Sequence, residues 1–550
     1  MAKRRSARWA ALLILALFLV ACTPGPGAEE PPGTPGTEIR ETKGELVYAI
    51  SREPVYLNPL LATDPGSELV NSRIFQGLVR LNERLEPVPA LATSWSFSKD
   101  GLEWTFNLRD DVYWHDGVLF TANDVKFTYD LVKHPDYNGV KRSDLRVVDR
   151  VEIISDHEIK LVLNQPSAPL LGKLVLGIIP EHIFGGSEVA RLKEHPANDR
   201  PIGTGPYTLG EWKKGESIVL KASSHYWGEG PWIREVRFRL YPDDGAALAA
   251  LEARAVDLVG NSGIPLDEFA RIRQQHGDWL NFWELPSNGY YYIGLKQTHP
   301  ILQDRRVRQA LAFALDRPAI VEAVYGGHAT VVNANLPPVS WAYCVEGLNP
   351  YDYSPETAIS LLEQAGWATT GSDGVRQNDQ GERLSFQLLT AAGNYRIEQV
   401  LKAVEESWRR VGVEVKVRFL PWAELLANYL DTAKFEAYML GWNLDPDPDC
   451  FPFFHSRAGL DAAGNLVGFN DVEYANPRLD QLLEQGRVTL DPGERRRIYH
   501  EIQLMLNEEL PYIFMFSPHF VIGINSKLGG VTVSTLGPIF PEQWYVTERE

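Results

Sequence analysis

The sequence lacks what several large functional classes require. A helix needs roughly 20 apolar residues to cross a bilayer; the run at 9–20 has 12, and no later stretch approaches a span. Positive charge is short: 54 Lys and Arg against 72 Asp and Glu leave a net charge of −18. That balance argues against nucleic acid as a partner, because phosphate binding needs clustered Lys and Arg. The 12 histidines are scattered, with no HExxH and no pair at helical spacing, so no zinc-enzyme motif is present. No GxSxG nucleophile elbow occurs. Gly203-Thr-Gly-Pro-Tyr207 lacks both the P-loop lysine and the third glycine of a dinucleotide fingerprint, and reads as a tight turn before a strand at 207–209. There is no internal repeat. Cysteine is scarce, with three residues at 22, 344 and 450.

The start of the chain is informative. Residues 1–8 carry Lys3, Arg4, Arg5 and Arg8 and no acid, the apolar run follows, and Leu19-Val20-Ala21-Cys22 ends it. A basic region, a short apolar core and small residues at a cut site make a secretory signal. The cysteine at the cut resembles a bacterial lipobox, which makes Cys22 the expected lipidation site. Segment 23–44 is rich in Pro, Gly, Thr and Glu, has one branched aliphatic residue, Ile39, and cannot bury a core. It reads as a solvated tether that would keep a folded body near a membrane without spanning it.

The remaining 500 or so residues are too many for one core. Strand signals dominate the first third: 45–50, the alternating Trp104-Thr-Phe-Asn-Leu108, a hairpin at 151–163 around Ser155-Asp156-His157, then 218–221 and 236–240. Helices follow. Val307, Leu311 and Ala314 share a face within 304–315. Ser354-Pro355-Glu356 gives an N-cap and a first-turn proline to a helix stopping near Gly366. Ile397, Val400, Leu401, Val404, Trp408 and Val411 keep helical spacing, and Gly412 then leads into a strand at 413–417. Helix running into strand is α/β architecture.

The most unusual stretch is Gly441-Trp-Asn-Leu-Asp-Pro-Asp-Pro-Asp-Cys450, three acids at alternate positions stiffened by two prolines. The acids are spaced like the first ligands of an EF-hand, but Cys450 stands where that loop turns on glycine and Ser456 where it needs a bidentate glutamate. No metal or cofactor is therefore expected. Asp445, Asp447 and Asp449 could also supply the carboxylate pair of a glycoside-hydrolysing enzyme, which stays as a remote alternative.

Further landmarks occur in order: Trp104 to Arg109, Val112-Tyr-Trp-His-Asp-Gly117, Phe120 to Tyr129, Gly203 to Tyr207 ahead of Trp212, Tyr226-Trp-Gly228, Gln303 to Ala310 leading to Ala314-Leu-Asp-Arg317, Leu361 to Trp367, and Gly441-Trp442 with the acid run. Together they resemble solute-binding protein family 5, the extracytoplasmic oligopeptide- and dipeptide-binding components of ABC importers. The resemblance spans 45 to about 545. It implies a two-lobed, type II periplasmic-binding-protein-like α/β fold with an extra third domain. Lobe I would comprise 45–82, 201–285 and 512–550, the extra domain 83–200 and lobe III 286–511. A hinge of two crossing segments would lie near 285–291 and 510–516.

By the same resemblance, Asp445 would pair with a peptide's α-ammonium, with Trp442 and Asn443 beside it. Asn288, Tyr290 and Tyr292 would present the hinge to the ligand, and Trp341 and Tyr343 would flank Cys344. With Cys22 lipidated, Cys344 and Cys450 remain as a possible disulfide. Asp447 and Asp449 are expected to cap turns or face solvent. Dipeptide-specific relatives carry a basic residue just before the helix at 396–411 that fixes the ligand carboxylate. Here 389–394 has none, and the first base is Arg396. The expected protein is a monomeric, lipid-anchored, non-enzymatic oligopeptide carrier that serves an ABC permease. An oligosaccharide binder of the same fold is the alternative, since Trp442, Phe451, Phe453 and Phe454 also suit sugar rings.

Overall fold

A computed structural model describes residues 42–260 and 263–547. The signal, Cys22 and most of the tether lie outside the described residues. Among those described, no helix is long and apolar enough to cross a membrane.

Local sequence explains the main elements. Asn394 caps the helix Tyr395–Arg410, its side chain accepting from the Ile397 N–H, and Ile397, Val400, Leu401, Val404 and Trp408 form its buried face. Ser354 caps Pro355–Gln364 in the same way. In the strand Glu103–Leu108 the buried side chains are Trp104, Phe106 and Leu108, the period of two expected of a half-buried sheet.

Two halves share one long sheet. On one side the order is 414–420, 385–391, 437–443, 289–295; on the other it is 258–259, 45–50, 235–240, 217–222, 207–213. The strand Tyr512–Asn525 joins them. Its first part pairs with Gly289–Leu295 and its last part with Leu280–Pro286. A further four-stranded antiparallel sheet, 92–97, 103–108, 158–163 and 148–155, lies within 83–200, the segment expected as the extra domain. It shares a continuous core with lobe I, running from Leu46 and Tyr48 through Trp104, Trp114 and Ile159 to Trp544. Lobe III has its own cores, one around Trp408 and Met439 and one around Tyr292, Phe454 and Tyr499. The fold is thus two-lobed and α/β, as expected.

The chain passes between the halves twice, at Ser287–Asn288 and at Ser517–Pro518; the second crossing falls just past the 510–516 expected. Hydrogen bonds stitch the two crossings together: the Ser287 N–H donates to the Pro518 carbonyl at 2.9 Å, and Ser517 Oγ donates to the Ser287 carbonyl at 3.1 Å. Pro518 has no N–H to give the sheet, so the strand changes partners there.

The Gly203-Thr-Gly-Pro turn does more than turn. A Cβ on Gly203 would meet the Ile74 carbonyl at 1.8 Å, so only glycine allows that approach. His115 closes the motif, its Nδ1 accepting from the Gly203 N–H and its Nε2 donating to the Gly205 carbonyl. Burial pushes this imidazole down to about 4, which keeps it neutral, and the two hydrogen bonds place its proton on Nε2.

Candidate functional site

In lobe III the strands Ser385–Ala391 and Glu414–Leu420 run parallel, as do Ser385–Ala391 and Ala437–Asn443. Their carboxyl ends therefore lie on one edge, where open α/β sheets bind ligands. A cavity of about 340 Å³ opens there. Hinge residues Ser287 and Pro518 form part of its wall, with Thr390 and Asn394 from the end of one strand and the next helix start, and Trp442 and Asn443 from another strand end. None of the residues in this wall is charged.

The acid run continues directly from Asn443, and its three carboxylates have different fates. Asp447 makes a two-pronged pair with Arg495, at 2.6 and 2.7 Å, on the helix Pro492–Glu509. Burial alone would lower the Arg495 pKa, but the charge and hydrogen bonds of Asp447, joined by Tyr499, together outweigh it and the guanidinium is raised. Asp449 accepts from Arg487 Nε at 2.8 Å; its own burial raises its pKa, opposed by Arg487. Both aspartates also cap turns, accepting from the Asp449 and Phe451 N–H groups. They are structural clamps, in place of the solvent-facing role left open for them. Asp445 alone reaches out. Its carboxylate is 69% exposed and takes Lys173 Nζ of the extra domain at 2.7 Å, with Asp144 3.8 Å from the same ammonium. Burial would lower the Lys173 pKa, but the hydrogen bond and charge of Asp445 raise it.

Asn288 fixes the base of this loop. It is 8% exposed, its Nδ2 donates to the Leu444 carbonyl at 2.7 Å, and the Leu444 N–H donates to the Asn288 carbonyl at 2.8 Å. The hinge and the segment that carries Asp445 are therefore one hydrogen-bonded unit.

The other candidates divide. Trp442, Asn443 and Tyr290 line the cavity, although Tyr290 is almost fully buried. Tyr292 does not reach it. It is 1% exposed, stacked on Tyr512 at 4.0 Å, and its hydroxyl meets that of Tyr438, which donates to the buried Asp471. It is a core residue because the period of two that puts Tyr290 and Tyr292 on one face packs both against Phe514 and Tyr512. Trp341 and Tyr343 also lie off the cavity wall, packed against the lobe III core, with Arg495 over the Trp341 ring. Cys344 and Cys450 are free thiols, so the expected bridge is absent. The 340–345 loop is held by Gln503 instead, which accepts from the Cys344 N–H and donates to the Ala342 carbonyl. Burial pushes the Cys450 thiol far up. Arg396, the first base after the strand, is engaged by Asp267 of lobe I.

Sequence reasoning missed Lys173, Thr390, Asn394 and Ser287. Lys173 sits in a one-turn helix, Leu170–Lys173, with no motif around it. Asn394 was findable as a helix cap.

A sequence profile of "Bacterial extracellular solute-binding proteins, family 5 Middle" matches residues 86–461. Protein XP55 of Streptomyces lividans is 32% identical over 91% of this chain and 88% of its own. The oligopeptide-binding protein AppA of Bacillus subtilis is 29% identical, covering 98% of both chains. The solved structure of that AppA with a nonapeptide superposes with a TM-score of 0.68 over 92% of this chain and all of its own. NikZ from Campylobacter jejuni, solved with Ni(L-His), is also 29% identical and superposes at 0.70 over 91% of this chain and 99% of its own.

Proposed function

The chain belongs to family 5 of the bacterial extracellular solute-binding proteins, and from that premise we propose that it captures oligopeptides between its lobes and hands them to an ABC import permease. In this reading it is anchored by a lipid on Cys22, acts as a monomer and performs no chemistry. The residue limits given above for lobe I, the extra domain and lobe III are part of the proposal, with the second crossing moved to 517–518.

One observation carries the reading. Asp445 is the only acid of its run not clamped into lobe III by an arginine, and it already holds an amine, that of Lys173, across the interlobe gap at 2.7 Å. A peptide α-ammonium offers the same three donors and would take that seat as Lys173 withdraws. When the lobes close and water leaves, such a charge-assisted bond contributes roughly 1.5–3 kcal/mol.

The rest of the site agrees. An uncharged wall with Thr390, Asn394 and strand-end backbone suits a chain of amides whose side chains vary. Arg396, the first base after the strand, is committed to Asp267, which favours peptides longer than two residues. The aromatic cluster gives less support to sugars: Trp442 is already engaged by Tyr292, at 6.0 Å and 10°, and by Phe453 and Phe469.

Mass spectrometry of material released from the purified protein by mild denaturation tests this. Peptides with free amino termini are the expected content; oligosaccharides, or a metal chelate without peptide, would overturn it.

A further inference from the structure

Away from the cleft wall, three metal-ligating side chains meet at the hinge. Glu284 stands in the strand Leu280–Pro286, His519 follows Pro518 in the crossing strand, and His328 precedes the short strand Ala329–Val331. Glu284 Oε1 lies 2.8 Å from His328 Nδ1 and 2.5 Å from His519 Nδ1, and the three ligand atoms fall within 4.8 Å of one another. All three side chains are partly open to solvent, at 29%, 26% and 16%. On its far side His519 Nε2 meets Thr330 Oγ1 at 2.8 Å.

We infer that these residues form a His₂Glu site for a divalent d-block cation of the zinc type, distinct from the peptide site. Two imidazoles and one carboxylate are the donor set such ions take at three-ligand sites, with a fourth position left to water. In the metal-free state a carboxylate can only accept, so each histidine turns its Nδ1–H toward Glu284. Binding moves those protons to Nε2 and presents two Nδ1 lone pairs. Thr330 then accepts from His519 Nε2–H, the outer hydrogen bond that ligating histidines generally make. Tetrahedral coordination at about 2.0–2.1 Å needs donors about 3.3 Å apart, so the carboxylate draws back by about 0.5 Å from His328 and about 0.8 Å from His519, and the two Nδ1 atoms, now within 4.8 Å of each other, settle at the same spacing.

Position gives the site a consequence. Glu284 belongs to the lobe I side of the hinge, His328 to the lobe III side, and His519 to the strand that crosses. The backbone ties the last two, the His519 N–H donating to the His328 carbonyl at 3.0 Å. An ion held by all three pins the interlobe angle at which their atoms converge, and so favours that arrangement over any other.

Calorimetric titration of the tag-free full-length protein with ZnCl₂ in a chelator-free buffer tests the site. One equivalent should bind and the melting temperature should rise with zinc, as mass action requires. His328→Ala and Glu284→Gln should each weaken binding by about tenfold or more, while Glu252→Gln, at the unrelated His276–Glu252 contact, should not. No binding by the unaltered protein, or binding unchanged in both hinge variants, overturns the inference. Zinc-edge absorption of the unaltered zinc-loaded protein keeps the test decisive should a variant misfold: two imidazoles per ion support the site, and an all-oxygen shell refutes it.

Discussion

Lys173 Nζ and Asp445 Oδ2 stand 2.7 Å apart, one in the extra domain and the other in lobe III. The protein thus supplies its own cation to the carboxylate that a ligand amine would use. Other contacts span the same gap: the Ala168 N–H donates to the Arg487 carbonyl at 2.7 Å, and Arg396 pairs with Asp267. These contacts already draw the lobes together, and under the proposed function ligand capture would be an exchange of one ammonium for another.

If Lys173 competes for Asp445, removing it strengthens binding. The Asp445 side of the pair is 69% exposed, and so screened a pair contributes no more than about 1 kcal/mol. Lys173→Met should therefore tighten the affinity for free-amine peptides by up to about fivefold, read by titration calorimetry at low salt. The gain should shrink as salt is raised, because screening weakens the competitor in the parent protein.

Asn288 holds the Asp445 loop to the hinge through the Leu444 carbonyl. Asn288→Ala removes that bond and leaves a half-buried acceptor unpaired, a loss of about 1–2 kcal/mol in unfolding free energy. Peptide affinity should fall with it, because the carboxylate is then less well placed. A variant that loses stability and keeps full affinity would separate the loop from the site.

Asp471 lies beneath the aromatic core of lobe III, accepts from Tyr438 Oη at 2.8 Å, and is pushed up by burial to about 7. Its folded pKa exceeds the unfolded value of about 3.9, so the folded state holds a proton that the unfolded chain has lost. The resulting stability is complete below pH ~4 and declines as pH rises toward 7, by about 1.4 kcal/mol per unit. Asp471→Asn, which keeps an acceptor for Tyr438, should be stabilised relative to the parent by a margin that widens from pH 4 to pH 7 and is level above. Urea unfolding at several pH values measures it; a pH-independent margin would contradict the assignment.

Much of this molecule is legible in the sequence because local rules and tertiary demands coincide. The capped helices at 354 and 394, the alternating strand at 103–108 and the glycine turn at 203 all follow from their own residues. The carboxylate that faces the gap is also legible, through order and spacing of motifs along the chain. What escapes is whatever depends on distant partners. Alternation places Tyr292 on a face but cannot say that Tyr512 and Trp442 bury it. The acid run shows three equivalent aspartates until Arg487 and Arg495, about 40 to 50 residues downstream, remove two of them. Cys344 and Cys450 count as a pair by number alone, and the structure separates them. The hinge histidines looked scattered because Glu284 lies 44 residues from His328 and 235 from His519.

The most direct measurement compares one oligopeptide with its N-acetylated form, by calorimetry, on the parent protein and on Asp445→Asn. Acetylation removes the ammonium and leaves the rest of the ligand intact. The account predicts that the parent prefers the free amine by about tenfold or more, and that the preference collapses to near unity in the variant. Equal affinity for both forms in the parent, or a preference that survives the substitution, would contradict it.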